Sequence, residues 1–392
     1  MSLQRYPEDE LVTSSQSGLG DVLEWIGLLC AKEYAVELLY GRHGLTKIEA
    51  ARRVDKIAPH VRVATAYVKQ SLDGPSEISF LPAYYAILNL MKVCVLLGPR
   101  HADLPKNRTH GASYNPEGKD SHSILTEEIS LKPGGVFPLF YQTLTGTHWP
   151  TKSRRLRVGD FLGCVSGVWY EYSHITTRPQ SLCQLGYGVV PSPSGLRLQC
   201  VVFPPAQGMP RGRAQALKRF SIDKTNSKSY HSPLLTPTSP ITLGEALRAT
   251  VKTHLLYRVE PTRTYACVVN SKLELPQELP IALLFFYMSC IVRYRPEYFA
   301  RLRDSKYWPL ISSARIHAFL EFLLCFWSFA QQRNLYINSA VFQTPAMLDQ
   351  QFAYLRQLVW TGTPPPAVAS HPPGAATQAA PSTPTSRIAD SP

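Results

Sequence analysis

The chain has 392 residues, 44% of them hydrophobic, and a formal charge of +13. This length and composition exclude a small stapled module and leave room for two domains around a large core. The positive balance favours nucleic acid, nucleotides or acidic surfaces as partners, although a solvated basic surface is the plainer account of it.

The first predicted helix covers residues 18–40, with Val22, Trp25, Ile26, Leu29 and Cys30 on one face, and it closes at Gly41 and His43-Gly44. Thr46-Lys-Ile-Glu49 is a capping-box pattern that opens a second helix, Lys47–Ala58. Pro59 is expected to break or kink it before Val61–Leu72 continues. After the turn signal Asp73-Gly74-Pro75, apolar or aromatic residues recur at Leu81, Tyr84, Leu88, Met91 and Val95. That spacing predicts a helix over residues 81–97, with Pro82 in a first turn that tolerates it. Tyr85, Asn89 and Lys92 lie at i, i+4 and i+7, a narrow polar stripe on an otherwise apolar rod. A buried helix carries such a stripe only at a cost, because each buried polar group needs a partner. Asn107-Arg108-Thr109-His110-Gly111 follows and could supply one. Gly134-Gly135 reads as a turn.

The middle changes character. Leu156–Tyr172, Leu196–Phe203 and Arg258–Val269 read as short strands between Pro- and Gly-rich turns. Gly208–Lys228 is a basic connector. Helices return at Leu279–Arg293, Glu297–Asp304, Ser313–Gln332 and Thr344–Leu358. Beyond Thr361 the composition turns to Pro, Ala, Ser and Thr, and the tail 361–392 is expected to be disordered. The expected architecture is thus mainly α. A helical region over 1–150 and a second over 273–360 pack together, and a β-rich segment lies between them at 151–272.

The eight cysteines form no Cys-x-x-Cys pair, and several lie in apolar runs where a thiol behaves as a small hydrophobe. Neither a disulfide framework nor a zinc site is expected. The N-terminus has acidic residues and no apolar run of the secretory kind, so a cytoplasmic chain with no membrane partner is expected. The apolar runs Pro280–Val292 and Ile316–Ala330 are shorter than the ~18 residues of a spanning helix. Glu321 interrupts the second, and both read as core.

Tyr84-Tyr85-Ala86 on a helix, followed by Thr109-His110-Gly111, resembles the core of HEPN domains. Together with Ser76–Ser79, Gly134–Pro138 and Met288–Glu297 in the same order, the chain resembles the YaaC-like family of bacterial proteins, in blocks scattered over residues 20–340. The resemblance implies a HEPN-like helical bundle. It also implies binding of RNA or a nucleotide in bacterial stress or phage defence, with a partner protein from the same operon as a further expectation. Two alternatives stand beside that reading. One is a metal-independent ribonuclease toxin, and the other is a non-catalytic, homodimerising assembly partner.

The ribonuclease motif of some HEPN proteins is Arg, a polar residue, then His after four to six positions. Arg108-Thr-His110 is too close, Arg248 and His254 lack the polar neighbour, and Pro59 falls between Arg53 and His60. Arg108 and His110 are the candidate catalytic pair, and Tyr85, Asn89, Lys92, Arg293 and Arg295 are the candidate ligand-binding residues. His110 beside Gly111 also suits a structural turn, and Arg293 and Arg295 also suit the negative end of a helix dipole. There is no Walker A loop, no Gly-x-Gly-x-x-Gly, no His-Glu-x-x-His and no nucleophile elbow. No metal or cofactor is expected.

Overall fold

In the computed structural model the described residues are 10–13, 18–75, 78–106, 109–114, 116, 123–149, 152–165, 168–176, 182–192, 195–203, 221–222, 229–233, 256–259, 264–268, 275–332 and 334–337. Arg108, Arg248, His254, most of the basic connector, the helix expected at Thr344–Leu358 and the tail lie outside them.

The fold is mainly α. The region expected as one helix over 18–40 is α1 (Gly18–Gly27), a 3-10 turn (Leu28–Cys30) and α2 (Lys32–His43). Ala31 between them is extended, so the apolar face changes direction there. The capping box forms as expected, and the Thr46 hydroxyl accepts from the Glu49 amide at 3.2 Å. It opens α3, which runs unbroken over Lys47–Asp73. Pro59 therefore does not end the helix. It lies on the exposed side, while Val54, Ile57, Val61, Ala64 and Val68 remain buried along one continuous face. One missing backbone bond is outweighed by that packing.

The helix α4 (Phe80–Leu97) is the axis of the core. It is buried at every position except Leu81, Tyr85 and Lys92, and α3 is packed along it. Its other faces meet α5 (Val136–Thr145), α8 (Glu278–Tyr294) and α10 (Trp308–Gln331). The two runs read as core helices belong to α8 and α10. Glu321 on α10 is buried and accepts from Gln277 Nε2 at 3.0 Å. By length and hydropathy α4 and α10 could each cross a membrane, and both are mostly buried against other helices here. The short helix α9 (Pro296–Arg303) links α8 to α10.

Leu156–Tyr172 is the clearest correction. Only Arg154–Arg157 is a strand (β4), and α6 (Val158–Leu162) and α7 (Trp169–Thr176) follow it. Val158, Phe161, Leu162, Val165 and Val168 are all buried. Their spacing is that of a helix, and the interspersed glycines had suggested strand turns. The strands β2 (Ala112–Tyr114), β3 (Glu128–Leu131) and β4 form a small antiparallel sheet. The hairpin β5 (Leu182–Ser192) and β6 (Gly195–Phe203) centres a second antiparallel sheet, of order β7-β8-β6-β5-β10-β9. Its other members are β7 (Ser221–Ile222), β8 (Ser229–His231), β9 (Leu256–Val259) and β10 (Thr264–Val268). One strand expected over Arg258–Val269 is therefore two, β9 and β10, paired antiparallel. Far apart in sequence, β1 (Glu10–Thr13) pairs in parallel with β11 (Asn334–Ile337), a contact the local pattern does not announce.

Candidate functional site

The α3 and α4 helices run antiparallel, and this sets which side chains meet. His60 on α3 faces Asn89 on α4, with His60 Nδ1 2.9 Å from the amide oxygen. The Asn89 amide nitrogen donates back to the Tyr85 carbonyl at 2.8 Å. Seven residues further along α3, Tyr67 stacks on Tyr85 with ring centroids 5.4 Å apart. In the other direction Lys56 reaches the level of Lys92, and the two line a cavity of about 370 Å³. His60 and His101 add two imidazoles, and Leu96 and Leu104 supply apolar wall. His101 Nδ1 is buried without a hydrogen-bond partner.

Lys92 is the informative residue. It is half-buried, and among the described residues no hydrogen bond or ion pair holds its ammonium. Burial pushes its pKa below the ordinary lysine value. Among the described residues, no acidic side chain lines the cavity. Carboxylates on the same elements are engaged elsewhere, Glu49 on Arg53, Asp55 on Lys32 and Asp103 on Arg100. Burial also lowers the pKa of His60, opposed by the Asn89 bond and reinforced by Lys92. It lowers that of His101, with Arg53 adding to it.

His110 stands at the far side of the α4 stripe. Its Nδ1 is 2.8 Å from the Tyr84 hydroxyl, so the tyrosine that meets it is Tyr84 and not Tyr85. The His110 pKa is lowered first by burial, then by the charges of Lys92 and Arg293. The backbone around it explains the two glycine motifs. The Val136 and Phe137 amides donate to the carbonyls of Thr109 and His110 at 3.0 and 2.9 Å, so the Thr-His-Gly segment caps α5. Gly111 (φ +80°) and Gly135 (φ +117°) approach each other backbone to backbone. A Cβ on Gly135 would lie 2.4 Å from Gly111 Cα.

The two arginines at the end of α8 part company. Arg293 donates to the Tyr85 hydroxyl at 3.1 Å, and its guanidinium carbon lies 5.9 Å from the Tyr85 ring centre and 4.9 Å from that of Tyr294. Arg295 turns the other way, donating to the Tyr114 hydroxyl at 2.6 Å and to Glu127 at 3.2 Å. Tyr114 in turn donates to Glu127. That largely buried triad ties α8 to the small sheet and lies apart from the cavity. Arg53 is likewise structural. It is buried, and its Nη1 donates to the carbonyls of Leu96, Leu97 and Gly98 at the end of α4, so it does not point with His60 into the cavity.

The profile of the YaaC-like protein family matches residues 29–328, a span that holds the whole α3–α4 groove, His110 and Arg293. The chain belongs to the YaaC-like protein family. No curated protein and no solved structure matches it. Of the residues picked from sequence in this YaaC-like chain, the structure places Tyr85, Asn89 and Lys92 along the side of α4 that meets α3, sets Arg293 on Tyr85, and puts His110 on Tyr84 instead. It sets Arg295 apart, and Arg108 is outside the described residues. Lys56, Tyr67 and His101 are not singled out by the sequence, and His60 and Tyr84 enter there only through the ribonuclease spacing and the helix pattern. A signal for three of them was present, since Lys56, His60 and Tyr67 lie at i, i+4 and i+11, on one face of a single α3.

Proposed function

We propose that the protein binds a phosphate-bearing ligand, RNA or a nucleotide, in the cavity between α3, α4 and the 3-10 helix His101–Lys106. The observation that carries this is the half-buried Lys92 beside Lys56, His60 and His101, in a cavity where, among the described residues, Lys92 has no partner and no carboxylate forms part of the lining. A cationic cluster without an anion favours a ligand that brings one. The mixture of apolar wall and a few convergent polar groups, at about 370 Å³, is that of small-ligand sites. A HEPN-like core and a place in bacterial stress or phage defence are supported only by the resemblance of the tyrosine helix and the Thr-His-Gly turn. A ribonucleolytic reading would rest on His110 with its Tyr84 partner.

The test is thermal melting and equilibrium binding of the wild type and Lys92→Met, with adenosine mononucleotides and short RNA at low salt. The variant is expected to melt at or above the wild-type temperature in the apo state, because a half-buried charge without a partner is removed. It is expected to lose at least ten-fold in affinity. No ligand binding by the wild type, or a large apo destabilisation of Lys92→Met with unchanged affinity, would make the cluster a structural feature.

A further inference from the structure

Past the cavity, the line where α3 and α4 meet carries further half-buried side chains. From Lys56 to Tyr67 along α3 is eleven residues, about 16 Å of helix axis. Over that distance its character changes from cationic to aromatic. At the far end Tyr67 and Tyr85 stack, neither of them fully buried, and Arg293 lies against Tyr85 and Tyr294. Tyr294 is 66% exposed at the end of α8. The Arg293 guanidinium donates to the Tyr85 hydroxyl, and among the described residues no carboxylate pairs with it. Asn89 joins the two ends through its bonds to His60 and to the Tyr85 carbonyl. Along α4 only Leu81, Tyr85 and Lys92 are not buried, and Tyr85 and Lys92 flank the Asn89 that meets His60 of α3.

We propose that this strip is a track for single-stranded nucleic acid, with a backbone phosphate at Lys56 and Lys92 and bases stacked at Tyr67 and Tyr294 around Arg293. The proposal rests on the phosphate-binding reading above and narrows it to a polynucleotide several residues long. Charge complementarity argues for a polyanion, since both ends of the strip present cations that have no acidic partner. The aromatic end argues for bases. Rings flanked by arginine stack any base on its π-face, whereas a bare phosphate gains nothing from them. The single-stranded state follows from the same point, because paired bases inside a duplex present no free face to Tyr294.

The experiment uses the full chain and fluorescence anisotropy with labelled oligoadenylates of increasing length, AMP as competitor, and a duplex RNA. Affinity is expected to rise with length to about four nucleotides and then level off, the smaller end of single-strand site sizes. Tyr294→Ala changes an exposed side chain, so it is expected to fold as the wild type does. It should weaken the longer oligoadenylates roughly ten-fold, the loss of one stacked base, while leaving AMP binding unchanged. Tyr67→Leu should do the same, and Lys92→Met should weaken both ligands. AMP binding as tightly as the oligomers, an unaffected Tyr294→Ala, or duplex binding equal to single strand would each overturn the track and leave the phosphate pocket standing. No binding of AMP or of any oligomer would overturn both.

Discussion

At the residue scale, three histidines beside the groove share one electrostatic situation. His60 faces Asn89 and Lys92, His101 faces Arg53, Glu49 and Lys56, and His110 faces Tyr84, Lys92 and Arg293. In each, burial is the largest cause of a pKa below the ordinary histidine value. An unfolded histidine titrates near 6.5. Below that pH the unfolded chain therefore holds more protons than the folded one, so stability is full above about pH 6.5 and falls as the pH is lowered through it. A bound phosphodiester acts in the opposite sense, since it favours the protonated rings. Affinity for an oligonucleotide, whose backbone charge does not titrate in this range, is expected to rise between pH 7.5 and 6.0 while the apo melting temperature falls. Lys92→Met should lessen the apo fall, because one of the charges holding His60 and His110 neutral is gone. Melting and anisotropy series across this range check both. A pH-independent affinity would mean that none of the three rings contacts the ligand's charge.

At the element scale, the contrast between Arg53 and Lys56 shows how one helix divides its basic residues. They are three positions apart on α3, yet Arg53 is buried on the last carbonyls of α4 and Lys56 is exposed at the cavity mouth. Arg53→Met leaves the carbonyls of Leu96, Leu97 and Gly98 without that donor and breaks the Glu49 pair. The expected cost is about 2–4 kcal/mol, whereas Lys56→Ala should stay within about 0.5 kcal/mol, as ordinary surface changes do. Urea midpoints at constant m-value decide this. An Arg53→Met as mild as Lys56→Ala would show that other groups hold the end of α4. The same elements show what was legible. Helices α3, α4, α8 and α9 could be read because each carries an apolar face of the right period over several turns. The Pro59 break could not be dismissed locally, since what overrides it is packing against α4. Tyr84 and Tyr85 are adjacent, so a helical wheel places both near the stripe. Only the position of α5, which holds the Thr-His-Gly turn, decides which of them meets His110. The helix Val158–Leu162 is hidden in the sequence because glycines at 159 and 163 interrupt a short apolar period, and β1 with β11 depends on a pairing across more than three hundred residues, which no window contains.

At the scale of the whole molecule, the question is whether the charge of +13 acts as a diffuse field or through the groove. The two give different salt dependences. Each phosphate neutralised on a single strand contributes about −0.7 to the slope of log affinity against log salt. If Lys56 and Lys92 share one phosphate and Arg293 meets a second, two phosphates give a slope of about −1.4. Binding spread over the basic surface would engage many more and give a far steeper slope. Pairing already reduces that wider supply. Lys32, Lys47, Arg53, Arg100 and Arg295 each have a carboxylate partner, and Arg155 and Arg157 share Glu128, so these basic side chains are already engaged, although each pair takes up an acid as well and leaves the net balance unchanged. The expected result for a short oligoadenylate is therefore a shallow slope of about −1.4, which lessens in Lys56→Ala as the shared phosphate keeps Lys92 alone. A slope several times steeper, unmoved by Lys56→Ala, would place nucleic-acid binding on the general surface and take the groove out of it.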